Sequence, residues 1–474
     1  MPNRRIAVRI LPVIALLGFV LGIQPASAAT SLSVGPNVDV SQRAGNEAET
    51  TISVNPTNPD NIVTVSNVQE GFSGIFEGAS FDGGATWTRQ IIADGDNLGF
   101  SCCDPSLAFD DYGNLFLTYL DIQKSGAKNT MVALSTDGGR NFRFLEIIDR
   151  VNNGTVKSPT KPGGGPAIDQ PTIATGPGSV WVDVKEFNKK QLIIATGARV
   201  TGLGQVGSFF DPERVPGSRF GSFGDVVVGP QGEVMVTYQA PTGDEGPATI
   251  STNVDPDGLG PLGFGPAHFA TNTNVGGFDY IPPQSTRSVD AESGLAWNRS
   301  GALHEDRVYL VYTNEKPNES NNTDIFVRHS DNKGLTWSKP VRVNDDRGTN
   351  SQFNPHISLD QTTGNVGVSF YDARNDLGNG GSGDTDGIPD TDAQYFAAVS
   401  VNAGRSFSPN VRVSKGTSNS LDAANGVDYG DYNGMSFDDG VMHPAWADNS
   451  DSTGDNPDGA LNRLDIYTAS VSVS

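Results

Sequence analysis

Short apolar runs alternate with polar, turn-rich segments along almost the whole chain. The recurring unit has polar residues, an apolar run, a turn, a second apolar run and polar residues again. Seven copies begin near Glu49, Asp104, Asp169, Phe223, Asp290, Phe353 and Asp431. The runs are short and rich in β-branched and aromatic residues, which predicts strands rather than helices. Each copy has room for four strands, so the repeats predict an all-β β-propeller of four-stranded blades, with seven blades, or six if one copy is an insertion.

The two ends of the chain predict how the ring of blades closes. The last copy has room for only three strands and finishes with Leu464–Ser474. The segment Ser31–Val40 is a strand-like run that belongs to no copy. We expect this N-terminal strand to complete the last blade, because pairing it there removes an open sheet edge.

A second, shorter pattern has the form Ser-x-Asp-x-Gly-x-Thr-Trp. It occurs four times, at Ser80–Trp87, Ser135–Phe142, Ser330–Trp337 and Ser400–Phe407. In such a turn an Asp or Asn side chain accepts hydrogen bonds from backbone amides, Gly supplies a positive φ, and the aromatic ring anchors the turn on the sheet. We therefore expect these turns to stabilise the hairpin between the third and fourth strands of four blades. They need no role in catalysis.

These four turns resemble the aspartate-box (BNR) repeats of the sialidase superfamily, and the resemblance extends over the mature chain. It implies a propeller that acts on glycans as an exo-acting glycoside hydrolase, or one that binds carbohydrate or protein without turnover. Sialidases hold the substrate carboxylate with three arginines, use a tyrosine assisted by a glutamate as nucleophile, and use an aspartate as acid and base. Their (Phe/Tyr)-Arg-Ile-Pro motif is missing here, since no arginine lies between Arg43 and Arg89. Whether the chain is an enzyme stays open at this stage.

In propellers of this kind the first strand of each blade is innermost, so its start and the end of the second strand lie on one face of the disc. The aspartate-box turns then lie on the opposite face. Carboxylates and aromatic residues gather on the first face and suit glycoside hydrolysis, which needs two carboxyl groups across the bond. The catalytic candidates are Asp104, Tyr371, Arg374 and Asp431. The substrate-binding candidates are Cys102, Cys103, Asp169, Gln170, Asp225, Arg287, Asp290, Asn354, His356 and Tyr432.

Two details of this face remain open from the sequence. Arg219, Arg287 and Arg374 are the arginines placed on it, and Tyr371 or Tyr432 is the candidate nucleophile. The alternative is a mouth that is polar only because strand ends need capping and water.

The only two cysteines of the chain, Cys102 and Cys103, are adjacent and directly precede Asp104. They form either a vicinal disulfide or two free thiols, and an oxidising compartment favours the disulfide. Such a bridge closes no loop and therefore adds little through chain entropy. It makes a rigid apolar knob, which either packs against a sugar ring or acts as a stiff turn that orients Asp104.

A local acidic pattern indicates calcium. In the segment Gly381–Tyr395, four aspartates alternate around a glycine, at Asp384, Asp386, Asp390 and Asp392. This spacing lets a loop place several oxygen atoms around a hard cation, and Ca²⁺ is the natural choice outside the cell. The alternative is a solvated acidic loop.

The N-terminus predicts export. A basic start at Arg4, Arg5 and Arg9 precedes the apolar run Ile10–Ile23 and the small residues Ala26–Ala28. This is the pattern of a cleaved signal peptide over residues 1–28, too short to span a membrane as a helix. We expect residues 29–474 to form a single propeller domain that is secreted or periplasmic, with a glycan or glycoconjugate as partner. The net charge of −23 argues against nucleic acid as a partner.

Overall fold

The described strands form seven antiparallel sheets that are arranged as the blades of a β-propeller, and one further two-stranded sheet. The computed structural model describes residues 30–69, 74–122, 128–148, 168–186, 192–243, 245–301 and 304–474. No helix occurs in these ranges, and so none that would be long and apolar enough to cross a membrane. The predicted signal peptide, residues 1–28, lies outside the described residues.

The strands follow one another around the ring in chain order. The first two are β1 (Leu32–Val34) and β2 (Val38–Asp39). Blade 1 consists of β3 (Glu47–Val54), β4 (Ile62–Val68), β5 (Ile75–Ser80) and β6 (Thr88–Ile92). After the short β7 (Asp94–Asp96), blade 2 consists of β8 (Gly99–Phe109), β9 (Leu115–Ile122), β10 (Lys128–Ser135) and β11 (Arg143–Ile148). Blade 3 consists of β12 (Ile168–Gly176), β13 (Ser179–Glu186) and β14 (Leu192–Gly202), with the short β15 (Gln205–Val206) and β16 (Glu213–Arg214) beside β14.

The second half of the ring holds four blades and one inserted hairpin. Blade 4 consists of β17 (Ser222–Val228), β18 (Val234–Pro241), β19 (Ala248–Asp255) and β20 (His268–Thr273), and the hairpin of β21 (Asp279–Ile281) and β22 (Gln284–Val289) follows it. Blade 5 consists of β23 (Gly294–Trp297), β24 (Val308–Glu315), β25 (Thr323–Ser330) and β26 (Val341–Arg342). Blade 6 consists of β27 (Gln352–Leu359), β28 (Val366–Asp372), β29 (Gln394–Ser400) and β30 (Val411–Arg412). Blade 7 consists of β31 (Gly434–Asp438), β32 (Val441–Asp448), β33 (Asp465–Thr468) and β34 (Val471–Val473).

The ring closes as the sequence predicts, with the N-terminal segment paired to blade 7. Val38 of β2 lies opposite Thr468 of β33. The segment contributes a second strand as well, because Leu32 of β1 lies opposite Val473 of β34. The N-terminal segment therefore forms one edge of blade 7 and β31 forms the other, and seven blades rather than six are confirmed.

Apolar side chains fill the spaces between neighbouring blades, where the two sheet faces meet. Between blades 6 and 7, the rings of Phe353 and Tyr371 stack with centroids 5.2 Å apart, and those of Tyr395 and Trp446 stack at 5.1 Å. All four side chains are buried. This packing holds the seven first strands around the central axis.

The four Ser-x-Asp/Asn turns share one geometry and lie between the third and fourth strands of blades 1, 2, 5 and 6. In the first, the Ser80 hydroxyl accepts a hydrogen bond from the Gly84 amide at 2.9 Å, and Asp82 accepts one from the Thr86 amide at 2.8 Å. In the third, Asn332 takes the place of the aspartate and accepts from the Thr336 amide at 2.9 Å. These turns lie at the end of each blade that is opposite to the start of its first strand.

Candidate functional site

The start of the first strand carries a left-handed residue in six of the seven blades. The six, which we call the mouth ring, are Glu49, Asp104, Gln170, Phe223, Glu292 and Asn354, with φ between 44 and 58°. In blades 1, 2, 3, 4 and 6 the strand register shifts at this residue, which marks a β-bulge. Bulges of this kind re-aim a side chain, and positive φ in a non-glycine residue is strained. The repetition of one strained bulge at one face indicates a shared function there.

A cavity of about 310 Å³ follows the propeller axis beneath the mouth ring. The first strands of all seven blades line it, and their side chains are mostly small or apolar. Gln170 and Glu292 of the mouth ring are among its lining residues. His356 and Asp225 also line it. Burial lowers the pKa of His356 to about 4, so its imidazole is neutral at physiological pH, and burial raises the pKa of Asp225 to about 6.

A chain of hydrogen bonds crosses the mouth through Asp431, which precedes blade 7. Arg287 of β22 donates from Nε to Asp431 Oδ1 at 2.6 Å and from Nη2 to Oδ2. Gln170 Nε2 donates to the same Oδ2 at 3.0 Å, and the Asp431 amide donates to Glu49 Oε1 at 3.0 Å. Blades 1, 3 and 7 and the inserted hairpin therefore meet at this one residue, blade 1 through its backbone amide, and blade 3 and the hairpin through its carboxylate.

Asp428 fixes the hairpin that carries Arg287. Its Oδ2 accepts hydrogen bonds from the Thr286 amide at 2.7 Å and from the Arg287 amide at 2.9 Å. Gln284 Nε2 donates to the Gly430 carbonyl at 2.9 Å. The hairpin is thus held over the mouth by the segment that leads into blade 7.

Two pairs of carboxyl groups share a hydrogen bond, one pair on each side of the mouth. Asp104 bonds to Asp169, and burial followed by the repulsion of Asp169 raises the pKa of Asp104 well above its usual range. Glu292 bonds to Asp290, and burial followed by the repulsion of Asp290 raises the pKa of Glu292 in the same way. Two carboxylates in contact retain a proton between them because both cannot be ionised cheaply. Both shifts therefore favour the protonated forms of Asp104 and Glu292.

Other ionisable groups complete the electrostatics of the mouth. Burial, then the charge of Asp431, raises the pKa of Glu49 to about 7 and that of Asp290 to about 8. Lys185 is buried near Asp169 and Asp290, and burial lowers its pKa to about 8 although both carboxylates act to raise it. Carboxyl groups outnumber these cationic groups at the mouth, and burial favours the neutral form of several of them.

Tyr432 lies across the mouth from blade 7 toward blade 2. Its hydroxyl donates to the Pro105 carbonyl at 3.2 Å. Burial, followed by the negative charges of Glu49 and Asp104, raises its pKa well above the usual range. The phenol therefore stays protonated, and this environment disfavours the role of nucleophile considered from the sequence.

The structure brings most of the predicted site residues to the mouth but places two catalytic candidates elsewhere. Tyr371 is buried between blades 6 and 7, where its hydroxyl donates to the Ala447 carbonyl at 2.9 Å. Arg374 is bound to Asp372 and, at 2.6 Å, to Asp345. Both follow the predicted strand, but their side chains point away from the axis. Asn354 lies in the mouth ring and donates to the Gly430 carbonyl at 3.0 Å.

The three arginines placed on this face by the sequence have separate surroundings. Arg287 lies at the mouth, Arg374 binds carboxylates beside blade 6, and Arg219 lies over the ring of Phe220 at 4.6 Å. In the part of the chain that the structure describes, they do not assemble into a common grip for a substrate carboxylate.

Cys102 and Cys103 form a disulfide in β8, directly before the bulge at Asp104. Both residues are half-buried and pack against the apolar cluster of Leu120, Ile168, Val184 and Ile194 between blades 2 and 3. Of the two open alternatives, the disulfide is therefore the one observed. Its contacts within the chain are those of a stiff turn beside Asp104.

The predicted calcium loop brings together a set of aspartates different from the one expected. Oxygen atoms of Asp376, Asp384 and Asp392 lie within 4.8 Å of one another. Asp386 instead accepts from the Ile388 amide at 2.7 Å, and Asp390 accepts from the Ser351 amide at 2.8 Å. Asp376 lies outside Gly381–Tyr395, the segment in which the alternating aspartates were recognised, so the sequence pattern did not identify it.

The sequence placed Glu49 on the face of the mouth without a site role, and Lys185 and Glu292 were missed. A signal for two of them is present in the sequence. Glu49, Asp104, Gln170, Glu292 and Asn354 each stand three residues before an apolar residue of the first strand, namely Ile52, Leu107, Ile173, Leu295 and Ile357. Aligning the repeats on that apolar residue identifies Glu292 rather than Asp290 as the equivalent of Asp104.

Comparison with known proteins concerns the fold. No family model matches the sequence, and no curated protein sequence matches it. Similar solved structures include a protein of unknown function from Dyadobacter fermentans, with 10% identity, a TM-score of 0.47, and coverage of 94% of this chain and 99% of that chain. An α-L-arabinofuranosidase of Fusarium graminearum has 13% identity, a TM-score of 0.46, and coverage of 72% and 93%. A sialidase of Trypanosoma rangeli has 11% identity, a TM-score of 0.42, and coverage of 81% and 55%. The β-propeller that the resemblance to sialidase-type proteins implies is confirmed by the seven blades themselves.

Proposed function

We propose that this protein is a glycoside hydrolase that cleaves glycosidic bonds of uncharged sugars at the mouth of the propeller. The observation that supports it is the pair of hydrogen-bonded carboxyl couples, Asp104–Asp169 and Asp290–Glu292. The first couple joins blades 2 and 3, since Asp169 belongs to β12, and the second lies directly before the first strand of blade 5. Hydrolysis of a glycosidic bond needs one protonated and one ionised carboxyl group flanking the scissile bond, and a raised pKa supplies the protonated one.

Glu292 fits the role of general acid. Glu292 lines the axial cavity, and burial followed by the repulsion of Asp290 raises its pKa well above the usual range, which favours the protonated form. In this role it donates its proton to the glycosidic oxygen as the bond to the anomeric carbon breaks. We assign the second carboxyl group to the Asp104–Asp169 couple, whose ionised member would act either as a nucleophile or as the base for a water molecule. Arg287, Gln170 and Asp431 hold the geometry between the two couples.

The charge of the mouth supports an uncharged substrate. Glu49, Asp104, Asp169, Asp290, Glu292 and Asp431 gather there against Arg287 and Lys185. Burial raises the pKa values of Glu49, Asp104, Asp290 and Glu292 and so favours their neutral forms, which leaves the mouth with little net charge to attract an ion. The guanidinium fork of Arg287 is also paired already with Asp431. A sialoside carboxylate would have to displace this partner, so sialidase activity is the less favoured form of the proposal.

Secretion and calcium binding belong to this proposal. The N-terminal pattern of residues 1–28 supports export, and the Cys102–Cys103 disulfide fits an oxidising compartment. The grouping of Asp376, Asp384 and Asp392 supports a structural Ca²⁺ site in the loop after β28. All three aspartates already accept backbone amide hydrogens, for example Asp384 from the Gly387 amide at 2.7 Å. A cation there would use the remaining lone pairs.

A second function, glycan binding without turnover, has one observation in its favour. The hydrogen bonds that join Gln170, Asp431 and Arg287 run across the mouth and narrow the access to the cavity. A site closed in this way suits a propeller that holds a sugar residue at its rim. The two functions predict different results in one experiment.

That experiment measures both turnover and binding with the same panel of sugars. The mature protein is assayed with aryl glycosides, including an α-L-arabinofuranoside and an α-sialoside, and its binding of the corresponding free sugars is followed by calorimetry. Hydrolysis of an uncharged glycoside that is lost in Glu292→Gln and Asp104→Asn supports the enzyme. The matched control is Glu77→Gln, another buried carboxyl group whose pKa burial raises to about 8, but in β5, away from the mouth. Binding without hydrolysis supports the alternative, and preferential hydrolysis of the sialoside contradicts the substrate charge proposed here.

A further inference from the structure

A second group of carboxylates lies where the inserted hairpin meets blade 5. Asp279 is the first residue of β21, Glu315 is the last residue of β24, and Glu319 lies in the loop that follows β24. One oxygen atom from each lies within 4.8 Å of the other two. The group therefore joins two segments that are distant in the chain, and it is separate from both the mouth and the loop of Asp384.

One oxygen of this group lacks the hydrogen bond that a buried carboxylate needs. Asp279 is 2% exposed, and among the described residues its Oδ2 has no hydrogen-bond partner. Leaving a buried carboxylate oxygen unsatisfied is costly, and such atoms in a native fold call for a ligand. The oxygen of a second carboxylate cannot satisfy it without a proton or a cation between them.

The loop after β24 is shaped around Glu315. Its Oε2 accepts hydrogen bonds from the Ser320 amide at 3.0 Å and the Asn321 amide at 3.2 Å, and its Oε1 accepts one from the Glu319 amide. These bonds fold the loop back so that the side chain of Glu319 reaches the same place. Glu315 is buried and Glu319 is exposed, so the group opens to solvent on one side.

The charged groups that act on Asp279 are negative. Burial, followed by the repulsion of Glu315 and Glu319, raises its pKa to about 7, and Glu245 acts in the same direction. Three clustered carboxylates with one unsatisfied oxygen match the hard, oxygen-only ligand set that Ca²⁺ and similar cations take. A divalent ion would remove the repulsion and satisfy Asp279 at once.

We propose that Asp279, Glu315 and Glu319 bind a divalent cation, and that this ion fixes the base of the hairpin that carries Arg287. Asp279 of β21 lies opposite Val289 of β22, two residues from Arg287. Asp428 holds the arginine end of this hairpin, as described above, and the cation holds the end that leaves blade 4. The site therefore positions the mouth arginine without touching a substrate.

The test is calcium binding by chelator-treated full-length mature protein, measured by calorimetry with CaCl₂. The variants are Asp279→Asn and Glu319→Gln, and the control is Asp384→Asn, which alters only the other acidic loop. We expect Asp279→Asn and Glu319→Gln to lose one of the calcium-binding events of the wild type, or to bind that calcium ion at least about tenfold more weakly. Asp384→Asn should retain that event. Hydrogen exchange gives an independent reading, since calcium should slow exchange in residues 279–289 of the wild type and of the control.

The outcomes separate the site from a merely structural carboxylate group. If the wild type binds no calcium, or if Asp279→Asn and Glu319→Gln bind it as the wild type does, the proposal is wrong. In chelator, Asp279→Asn should be at least as stable as the wild type, because it removes repulsion; with calcium it should be less stable. Glu319 is exposed, so Glu319→Gln decides the question if Asp279→Asn fails to fold.

Discussion

Arg287 donates two parallel hydrogen bonds to Asp431, from Nε to Oδ1 at 2.6 Å and from Nη2 to Oδ2. This fork joins the hairpin inserted between blades 4 and 5 to the residue that introduces blade 7. The Asp431 carboxylate also accepts from Gln170, and the Asp431 amide donates to Glu49, so this one residue links the hairpin to blades 1, 3 and 7.

Replacing Arg287 by Met should lower the free energy of unfolding by about 2 kcal/mol, a value between those of exposed and buried pairs. The side chains of Arg287 and Asp431 are 35% and 11% exposed, so solvent screens the pair only in part. Urea unfolding measures this loss of stability, and adding Asp431→Asn to the Arg287→Met variant should recover part of it because the unpaired charge is removed.

The matched control is Arg307→Met, since Arg307 donates the same two parallel hydrogen bonds to Asp331 on the opposite face. It should lower stability while ligand binding at the mouth stays unchanged; equal losses of binding in both variants would contradict the role given to Arg287.

Stability should fall as pH rises from about 4 to about 8. Burial, first among the causes, raises the pKa values of Glu49 to about 7 and of Asp183 and Asp290 to about 8. In the unfolded chain these groups titrate near 4, so in this window the unfolded state has lost protons that the folded state retains. The unfolded state then binds fewer protons, and the free energy of unfolding decreases with pH.

Thermal unfolding of the mature protein at about pH 5 and about pH 8 tests this pH dependence. The expected midpoint is several degrees higher at the lower pH. Asp183→Asn replaces a carboxyl group that is neutral in the fold by a neutral amide, so this variant should show a shallower dependence. A midpoint that rises from pH 5 to pH 8 in the wild type would be incompatible with neutral carboxyl groups in the interior.

The Ser-x-Asp/Asn turns should affect stability and leave the mouth untouched. The buried hydroxyl of Ser135 accepts a hydrogen bond from the Gly139 amide at 3.0 Å. Ser135→Ala leaves that amide unsatisfied and should cost about 1 to 2 kcal/mol in urea unfolding. Asp137→Asn should be tolerated much better, because Asn332 and Asn402 make the same bonds in two other turns. Loss of glycan binding in Ser135→Ala at a temperature where it is folded would show that these turns contribute to the site.

Reduction of the Cys102–Cys103 disulfide should change the unfolding midpoint little. The two residues are adjacent, so the bridge closes no loop and constrains the unfolded chain only locally. The double variant Cys102→Ala/Cys103→Ala should cost more, about 1 to 2 kcal/mol, because it also removes packing against Leu120 and Ile168. Thermal unfolding with and without reductant, checked by thiol titration, separates the two effects. A collapse of the midpoint on reduction alone would refute this account of the bridge.

The architecture was predictable because its signals are local. Two short apolar runs separated by a turn residue predict each strand pair. Each Ser-x-Asp/Asn turn contains the side chains that make its own hydrogen bonds. Closure of the ring by Ser31–Val40 followed from counting strands, although the split into β1 and β2 did not. These features depend on neighbouring residues, which a single sequence shows directly.

The mouth was predictable only in part, because side-chain direction depends on backbone detail and on distant segments. Tyr371 and Arg374 stand at the expected end of β28, but their side chains point between the blades and toward the neighbouring loop. Glu292 was hidden by a repeat alignment that began at Asp290. Arg287 was placed on the right face, but its pairing with Asp431 rests on a hairpin held by contacts more than 140 residues away in the chain.

The most direct measurement is the pH dependence of kcat/KM for an uncharged aryl glycoside, in the wild type and in Glu292→Gln. If Glu292 is the general acid, the wild type loses activity on the alkaline side as the Asp290–Glu292 couple gives up its proton. Glu292→Gln should then lose about 10² to 10⁴ in kcat with KM little changed, and its alkaline limb should disappear. Absence of hydrolysis across the panel, or an unchanged profile in Glu292→Gln, would contradict the assignment of this mouth as the active site of a glycoside hydrolase.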